Sequence, residues 1–146
     1  MRQTSVREAA PSGAPFLKPE VLRIVLVDDN SDAADIAAML IRQLDHDVIQ
    51  VYDGHAALEV ALDYEPDVIV LDIDMPGFDG LDVAKAIREL PAPVCDARLI
   101  AYTGHARLED RQAAAKAGFD DFLVKPVSLA QWHRTLAGPP ESTPDR

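Results

Sequence analysis

The sequence predicts a single α/β domain in which two layers of helices cover a parallel five-stranded sheet. Short β-branched runs alternate five times with segments in which apolar residues recur every three or four positions. The run at 23–27 is almost continuously apolar, which is typical of a parallel strand covered on both faces. Right-handed crossovers between such strands give a doubly wound sheet. The length of 146 residues fits one domain of this kind.

The strands are short apolar runs that end where polar residues begin. In chain order, we expect strands at 23–27, 48–51, 68–71, 99–102 and 122–124. The first is the longest, and the other four repeat its pattern more briefly. The five runs therefore predict a sheet with little exposed surface.

Each predicted strand is followed by a segment with the spacing of a one-sided helix. These segments cover about 33–44, 57–62, 81–87, 108–117 and 129–136. Gly118 closes the fourth segment and suits the left-handed backbone position that often follows a helix. Ser128 and Gln131 predict a capping box at the start of the fifth. The chain therefore reads as five βα units without an internal repeat.

The two ends of the chain differ from the body in composition. Residues 1–19 combine prolines with serine and glycine and lack apolar periodicity, so we expect a flexible leader there. Residues 138–146 predict a flexible tail for the same reason. The folded domain is expected at 20–137.

The charge and the cysteine content exclude several classes of partner. A net charge of -11 opposes binding to nucleic acid or anionic lipid, because both need a basic surface. Cys95 is the only cysteine, so an intrachain disulfide is excluded and a reducing compartment fits. No apolar run approaches the roughly 20 residues that a membrane span requires. We expect a cytoplasmic protein with no direct nucleic-acid partner and no membrane partner.

Polar residues gather at the predicted strand ends. They are Asp28 and Asp29 after the first strand, Asp72 and Asp74 after the third, Thr103 after the fourth and Lys125 after the fifth. The carboxyl ends of parallel strands meet at one edge of a sheet, where ligands bind. Clustered carboxylates suit Mg²⁺, and an added ammonium and hydroxyl suit a phosphoryl group. The set therefore favours an aspartyl phosphate.

On these residues, the chain resembles the receiver domain of bacterial two-component response regulators over about 22–136. The shared motifs are the acid pair at 28–29, the segment VIVLDIDMPGFDG at 68–80, Thr103, and Lys125 followed by Pro126. The resemblance implies a flavodoxin-like (βα)5 fold in three layers, with the strand order 2-1-3-4-5. That order comes from the resemblance and not from the residues.

The resemblance also implies the chemistry of the site. Asp72 would accept a phosphoryl group from a sensor histidine kinase or a histidine phosphotransfer protein. Asp28, Asp29, Asp72 and the backbone carbonyl of Asp74 would hold Mg²⁺. If the strand alternation continued to Asp74, its side chain would lie on the same side as that of Asp72, and a solvent-facing loop acid is the alternative.

The implied switch involves three further residues. Lys125 would contact the phosphoryl group, the Thr103 hydroxyl would swing toward it, and Phe122 would fill the space that Thr103 leaves. Phe122 stands three residues before the lysine, where tyrosine is commoner in the family. The resulting conformational change would be read by a protein target that the sequence does not identify.

The sequence leaves alternatives open. The D-I-D sequence at 72–74 also resembles the motif of haloacid-dehalogenase-type phosphatases, although Met75 and Pro76 replace their usual continuation. A flavodoxin-like electron carrier would need a glycine- and hydroxyl-rich loop where the acids at 28–29 stand. Few residues follow 136, so we expect a single-domain regulator and not an enzyme. A phosphorelay shuttle and a phosphate sink are alternatives to direct signalling.

Overall fold

The computed structural model describes residues 21–105 and 107–138, which contain five strands and five α-helices in alternation. The strands are β1 Arg23–Val27, β2 Asp47–Val51, β3 Val68–Asp72, β4 Arg98–Thr103 and β5 Asp121–Val124. The helices are α1 Ser31–Gln43, α2 Gly54–Tyr64, α3 Gly80–Arg88, α4 Leu108–Ala117 and α5 Leu129–Leu136. The predicted leader 1–19 and, apart from Gly138, the predicted tail 138–146 lie outside the described residues.

The sheet is fully parallel in the order β2-β1-β3-β4-β5, which confirms the predicted flavodoxin-like α/β fold. The register pairs Val27 of β1 with Leu71 of β3, so Asp28 and Asp72 leave neighbouring strands at the same level. On the other side, Asp72 pairs with Tyr102 in β4. The polar residues that end the central strands therefore lie together at one edge of the sheet.

Alternate side chains of the strands pack into two apolar layers, one on each face of the sheet. One layer joins the sheet to α2, α3 and α4, and the other joins it to α1 and α5. Fully buried members of the two layers include Val25, Val27, Ile69, Leu71 and Leu99 on the first face, and Ile24, Leu26, Val70, Ile100 and Trp132 on the second. Each such side chain contributes about 1.5–3 kcal/mol by leaving water.

Side-chain caps set where the helices begin and end. Ser128 accepts from the backbone N–H of Gln131, which completes the predicted capping box of α5. Gly118 has φ 108° at the end of α4, as its position predicted. Asn30 caps α1 by accepting the N–H of Ala33, so α1 begins at Ser31 and earlier than its apolar periodicity indicates.

Two features of the fold differ from the predictions. A 3₁₀ turn at Val94–Asp96 joins α3 to β4 and was not predicted, because three residues carry no periodicity. The strand β5 is half-buried along its length, because it lies at the edge of the sheet and pairs only with β4.

Within residues 21–105 and 107–138, every helix is too short or too polar to cross a bilayer.

Candidate functional site

The ends of β1, β3 and β5 bring two buried carboxyl groups and one ammonium into contact. Lys125 Nζ lies 3.0 Å from Asp28 Oδ2 and 3.4 Å from Asp72 Oδ2. The same ammonium lies 4.5 Å from the centre of the Tyr102 ring, which in turn lies 5.6 Å from the Trp132 ring. The predicted residues Asp28, Asp72 and Lys125 therefore lie together, although 97 positions separate Asp28 from Lys125.

Three carboxyl groups form an acidic cluster at this edge. One oxygen from each of Asp28, Asp29 and Asp72 lies within 4.8 Å of the others. Asp28 is fully buried and Asp72 is 4% exposed, whereas Asp29 is open to solvent. Burying carboxylates is costly without compensation, and one ammonium balances only part of the charge. A cluster of carboxylate oxygens is the ligand set that suits a hard divalent cation, so the residues present fit Mg²⁺.

Burial raises the pKa of Asp72 to about 6, and the nearby Asp28 adds to that effect. The backbone N–H of Asp74 opposes it by donating to Asp72 Oδ1 at 3.0 Å, as does the positive charge of Lys125. The Asp74 N–H and the Lys125 ammonium both favour the ionised form of the Asp72 carboxyl. An ionised carboxylate with one oxygen fixed by a backbone donor has the form that a nucleophile requires.

The side chain of Asp74 contacts Thr103 and His105. Thr103 Oγ1 donates to Asp74 Oδ2 at 2.7 Å, and His105 Nδ1 lies 2.7 Å from the same oxygen. The Thr103 hydrogen bond is the largest of the effects that lower the pKa of Asp74, and His105 adds to it. β3 ends at Asp72, so strand alternation does not set the direction of the Asp74 side chain. The contact of Asp74 with Thr103 was not predicted from the sequence, although the pairing of β3 with β4 brings the ends of these two strands together.

Phe122 lies in β5 and pairs in register with Ala101 of β4. Its ring is half-buried, and the guanidinium of Arg111 lies 4.6 Å from the ring centre. Arg111 belongs to α4, and no motif in the sequence connects it with Phe122. The structure thus places Phe122, the aromatic residue of the predicted switch, between the sheet and α4.

The start of α3 packs directly on the end of β3. A Cβ atom at Gly80 would lie 2.4 Å from the backbone oxygen of Asp72 and 2.8 Å from the Cα of Ile73. Asp79 caps the helix in a box with Asp82, which fixes its first turn. The capped start of α3 therefore holds the loop after Asp72 in place.

The chain matches the family model of the response regulator receiver domain over residues 24–137. It is 39% identical over 111 residues to the transcriptional regulatory protein PrrA of Mycobacterium tuberculosis. The match covers 75% of this chain and 46% of PrrA, so this chain spans about half the length of that relative.

Solved structures show the same fold. The receiver domain of a sensor histidine kinase from Pseudomonas aeruginosa is 31% identical, with a TM-score of 0.73 over 80% of this chain and 95% of that domain. That domain holds a magnesium ion in its active-site cleft. A chemotaxis protein of Vibrio cholerae, 24% identical, has the same architecture with a TM-score of 0.74 over 80% of this chain and 97% of its own. Because the family model spans most of the described residues and the strand order is that of these neighbours, the chain belongs to the response regulator receiver domain family.

Proposed function

We propose that Asp72 accepts a phosphoryl group from a phosphohistidine on a sensor histidine kinase or a histidine phosphotransfer protein. Receiver domains as a family are phosphorylated by histidine kinases. The observation that carries the proposal is the contact of the buried Asp72 carboxyl with Lys125, whose Nζ lies 3.4 Å from Oδ2. A carboxylate beside a fixed ammonium is suited to attack phosphorus, since the ammonium attracts the phosphoryl oxygens.

In the proposed reaction, a carboxylate oxygen of Asp72 forms a bond to phosphorus while the P–N bond of the phosphohistidine breaks. The leaving imidazole nitrogen keeps the electron pair and takes up a proton. The Asp74 N–H fixes one carboxylate oxygen, and Lys125 stabilises negative charge on the transferred group. These residues contribute by position and charge, which is where most catalysis of phosphoryl transfer originates.

The proposal includes Mg²⁺ as a cofactor. Asp28, Asp29, Asp72 and the backbone carbonyl of Asp74 are the residues that would hold it, and the first three already place oxygens within 4.8 Å of one another. When bound, the ion neutralises charge on the phosphoryl oxygens. Lys125 pairs with Asp28 and keeps that carboxyl oriented within the cluster.

The output that we propose is a conformational change read by a protein partner. Thr103 ends the strand next to β3, and Phe122 lies on β5 in contact with α4, so a change at Thr103 has a short path to an outer face. The charge of -11 opposes direct contact of this chain with a phosphate backbone. The cytoplasmic location and the single-domain organisation stay predictions.

The test is phosphorylation by a small donor followed by intact mass measurement. Phosphoramidate contains the same type of P–N bond as phosphohistidine, and we expect the protein with Mg²⁺ to gain one phosphoryl group. Asp72→Asn should gain none. Asp63→Asn removes an exposed acid on α2 and should behave as the wild type. Undiminished phosphorylation of Asp72→Asn would contradict the assignment.

A further inference from the structure

The hydroxyl group of Thr103 has both of its hydrogen-bonding functions engaged in this structure. It donates its proton to Asp74 Oδ2 at 2.7 Å and accepts the backbone N–H of His105 at 3.3 Å. The side chain of Thr103 is 1% exposed, so solvent does not compete for these contacts. Its orientation is therefore set by Asp74 and His105.

A threonine hydroxyl has only one proton to donate. If that proton goes to a phosphoryl oxygen on Asp72, Asp74 must release it. Asp74 is a charged acceptor, and charge-assisted hydrogen bonds are about twice as strong as neutral ones. The ring of His105 contacts the same oxygen at 2.7 Å and helps to hold the carboxylate where it meets Thr103.

We propose that Asp74 is a positioning residue that holds the Thr103 hydroxyl in its unphosphorylated orientation and thereby opposes the switch. The inference rests on the proposed function, because it concerns the residue that would respond to phosphorylation of Asp72. It assigns to the Asp74 side chain a role separate from that of its backbone carbonyl. His105 supports the same orientation from the β4–α4 loop.

A purely structural role for Asp74 would have a different signature. Loss of a loop contact would lower the stability of the domain and leave the Thr103 rotamer unchanged, because the rest of its surroundings is intact. Loss of a restraint would populate a second Thr103 rotamer in the unphosphorylated protein. We expect the ratio of the second rotamer to the first to rise roughly threefold to tenfold in Asp74→Ala, the range for one half-exposed charged hydrogen bond.

The experiment measures the χ1 rotamer of Thr103 from three-bond couplings in protein with labelled threonine methyl groups. The Thr103 signal is identified by its loss in Thr103→Ser. Asp74→Ala removes the acceptor, whereas Asp74→Asn keeps its shape and removes its charge, so the rotamer ratio should increase from wild type to Asn to Ala. His105→Ala should give a smaller increase, and Asp63→Asn should give none. Phosphorylation of the wild type with phosphoramidate and Mg²⁺ should shift the ratio in the same direction.

An unchanged Thr103 ratio in both Asp74 variants would overturn the inference, as would a wild-type ratio that does not respond to phosphorylation. Should Asp74→Ala fail to fold, the nearly isosteric Asp74→Asn decides alone. Intact mass of the same samples separates the two levels of the argument. A wild type that gains no phosphoryl group contradicts the proposed function, whereas a phosphorylated wild type with insensitive Asp74 variants contradicts only the role of Asp74.

Discussion

At the scale of single residues, the burial of Asp28 and Asp72 side by side is costly. Their carboxyl groups share one ammonium, that of Lys125, at 3.0 and 3.4 Å. Buried charged groups seldom improve stability over apolar residues of similar size. The cluster is therefore better explained by chemistry than by folding.

The cost of burying Asp72 predicts that the free energy of unfolding depends on pH. Burial raises the pKa of Asp72 from 3.8 to about 6, so the folded protein binds this proton more tightly than the unfolded chain. The stabilising contribution of the protonated form is complete below about pH 4 and is lost as the pH rises through about 6. In EDTA, we expect Asp72→Asn to raise the free energy of unfolding by roughly 1–3 kcal/mol at pH 7, with the gain shrinking between pH 6 and 4.

Urea denaturation of wild type and Asp72→Asn across pH 4 to 8 measures this difference. Asp63→Asn, which carries the same change of charge at an exposed position, should show no comparable gain. A variant that is less stable than the wild type at pH 7, or a gain that widens on acidification, would refute the argument.

At the scale of elements, the close approach of α3 to the end of β3 determines where the loop after Asp72 runs. A Cβ atom added at Gly80 would meet backbone atoms of Asp72 and Ile73, which cannot rotate away as a side chain can. Helix propensity favours alanine over glycine by up to about 1 kcal/mol, but the contact at 2.4 Å opposes it. We expect the contact to prevail, and Gly80→Ala to destabilise the domain by roughly 1–3 kcal/mol.

Thermal and urea unfolding check this expectation against Gly104→Ala. A Cβ at Gly104 meets nothing within 4 Å, so that variant should stay within about 0.5 kcal/mol of the wild type. Equal stability of the two variants would show that α3 moves freely relative to β3.

Local signals explain which elements were predicted from sequence. Two signals lie within a few residues of the helix ends that they mark, namely the capping box of Ser128 and Gln131 and the glycine after α4. Such local signals can be identified from the sequence alone. The contacts of Asp74 with Thr103 and of Arg111 with Phe122 join different elements. They depend on rotamers and on the path of a loop, which periodicity does not encode.

At the scale of the whole molecule, the negative charge makes stability depend on cations in two ways. With a net charge of -11, the acidic side chains of the folded protein repel one another, and any salt screens that repulsion. The acidic cluster should add a specific effect of Mg²⁺, because a ligand that binds only the folded state stabilises it by mass action. At 100 times its Kd, Mg²⁺ should add about 2.7 kcal/mol beyond NaCl of equal ionic strength.

Melting curves in matched MgCl₂ and NaCl solutions measure the specific effect. Asp29→Asn alters the exposed member of the cluster and should lose most of the excess, whereas Asp63→Asn should keep it. The same Mg²⁺ excess in Asp29→Asn and the wild type would place the ion elsewhere.

The proximity of the site residues could be predicted from the sequence only if the order of the strands in the sheet was already known. Asp28, Asp72, Thr103 and Lys125 stand at the ends of β1, β3, β4 and β5, but their proximity depends on β1 lying between β2 and β3. That order came from the family resemblance, since apolar runs alone do not say which strands are neighbours. The residues of the site were therefore predictable, and their mutual distances were not.

The ring contacts beside the site have a practical consequence. Trp132 is the only tryptophan, it is fully buried, and its ring lies 5.6 Å from that of Tyr102, which in turn lies under the ammonium of Lys125. Indole emission responds to nearby charge and to ring packing, and both change if Lys125 turns toward a new anion. The domain thus contains its own fluorophore three contacts away from Asp72, the proposed phosphoacceptor, so the chemical state of Asp72 can be followed by fluorescence without an attached dye.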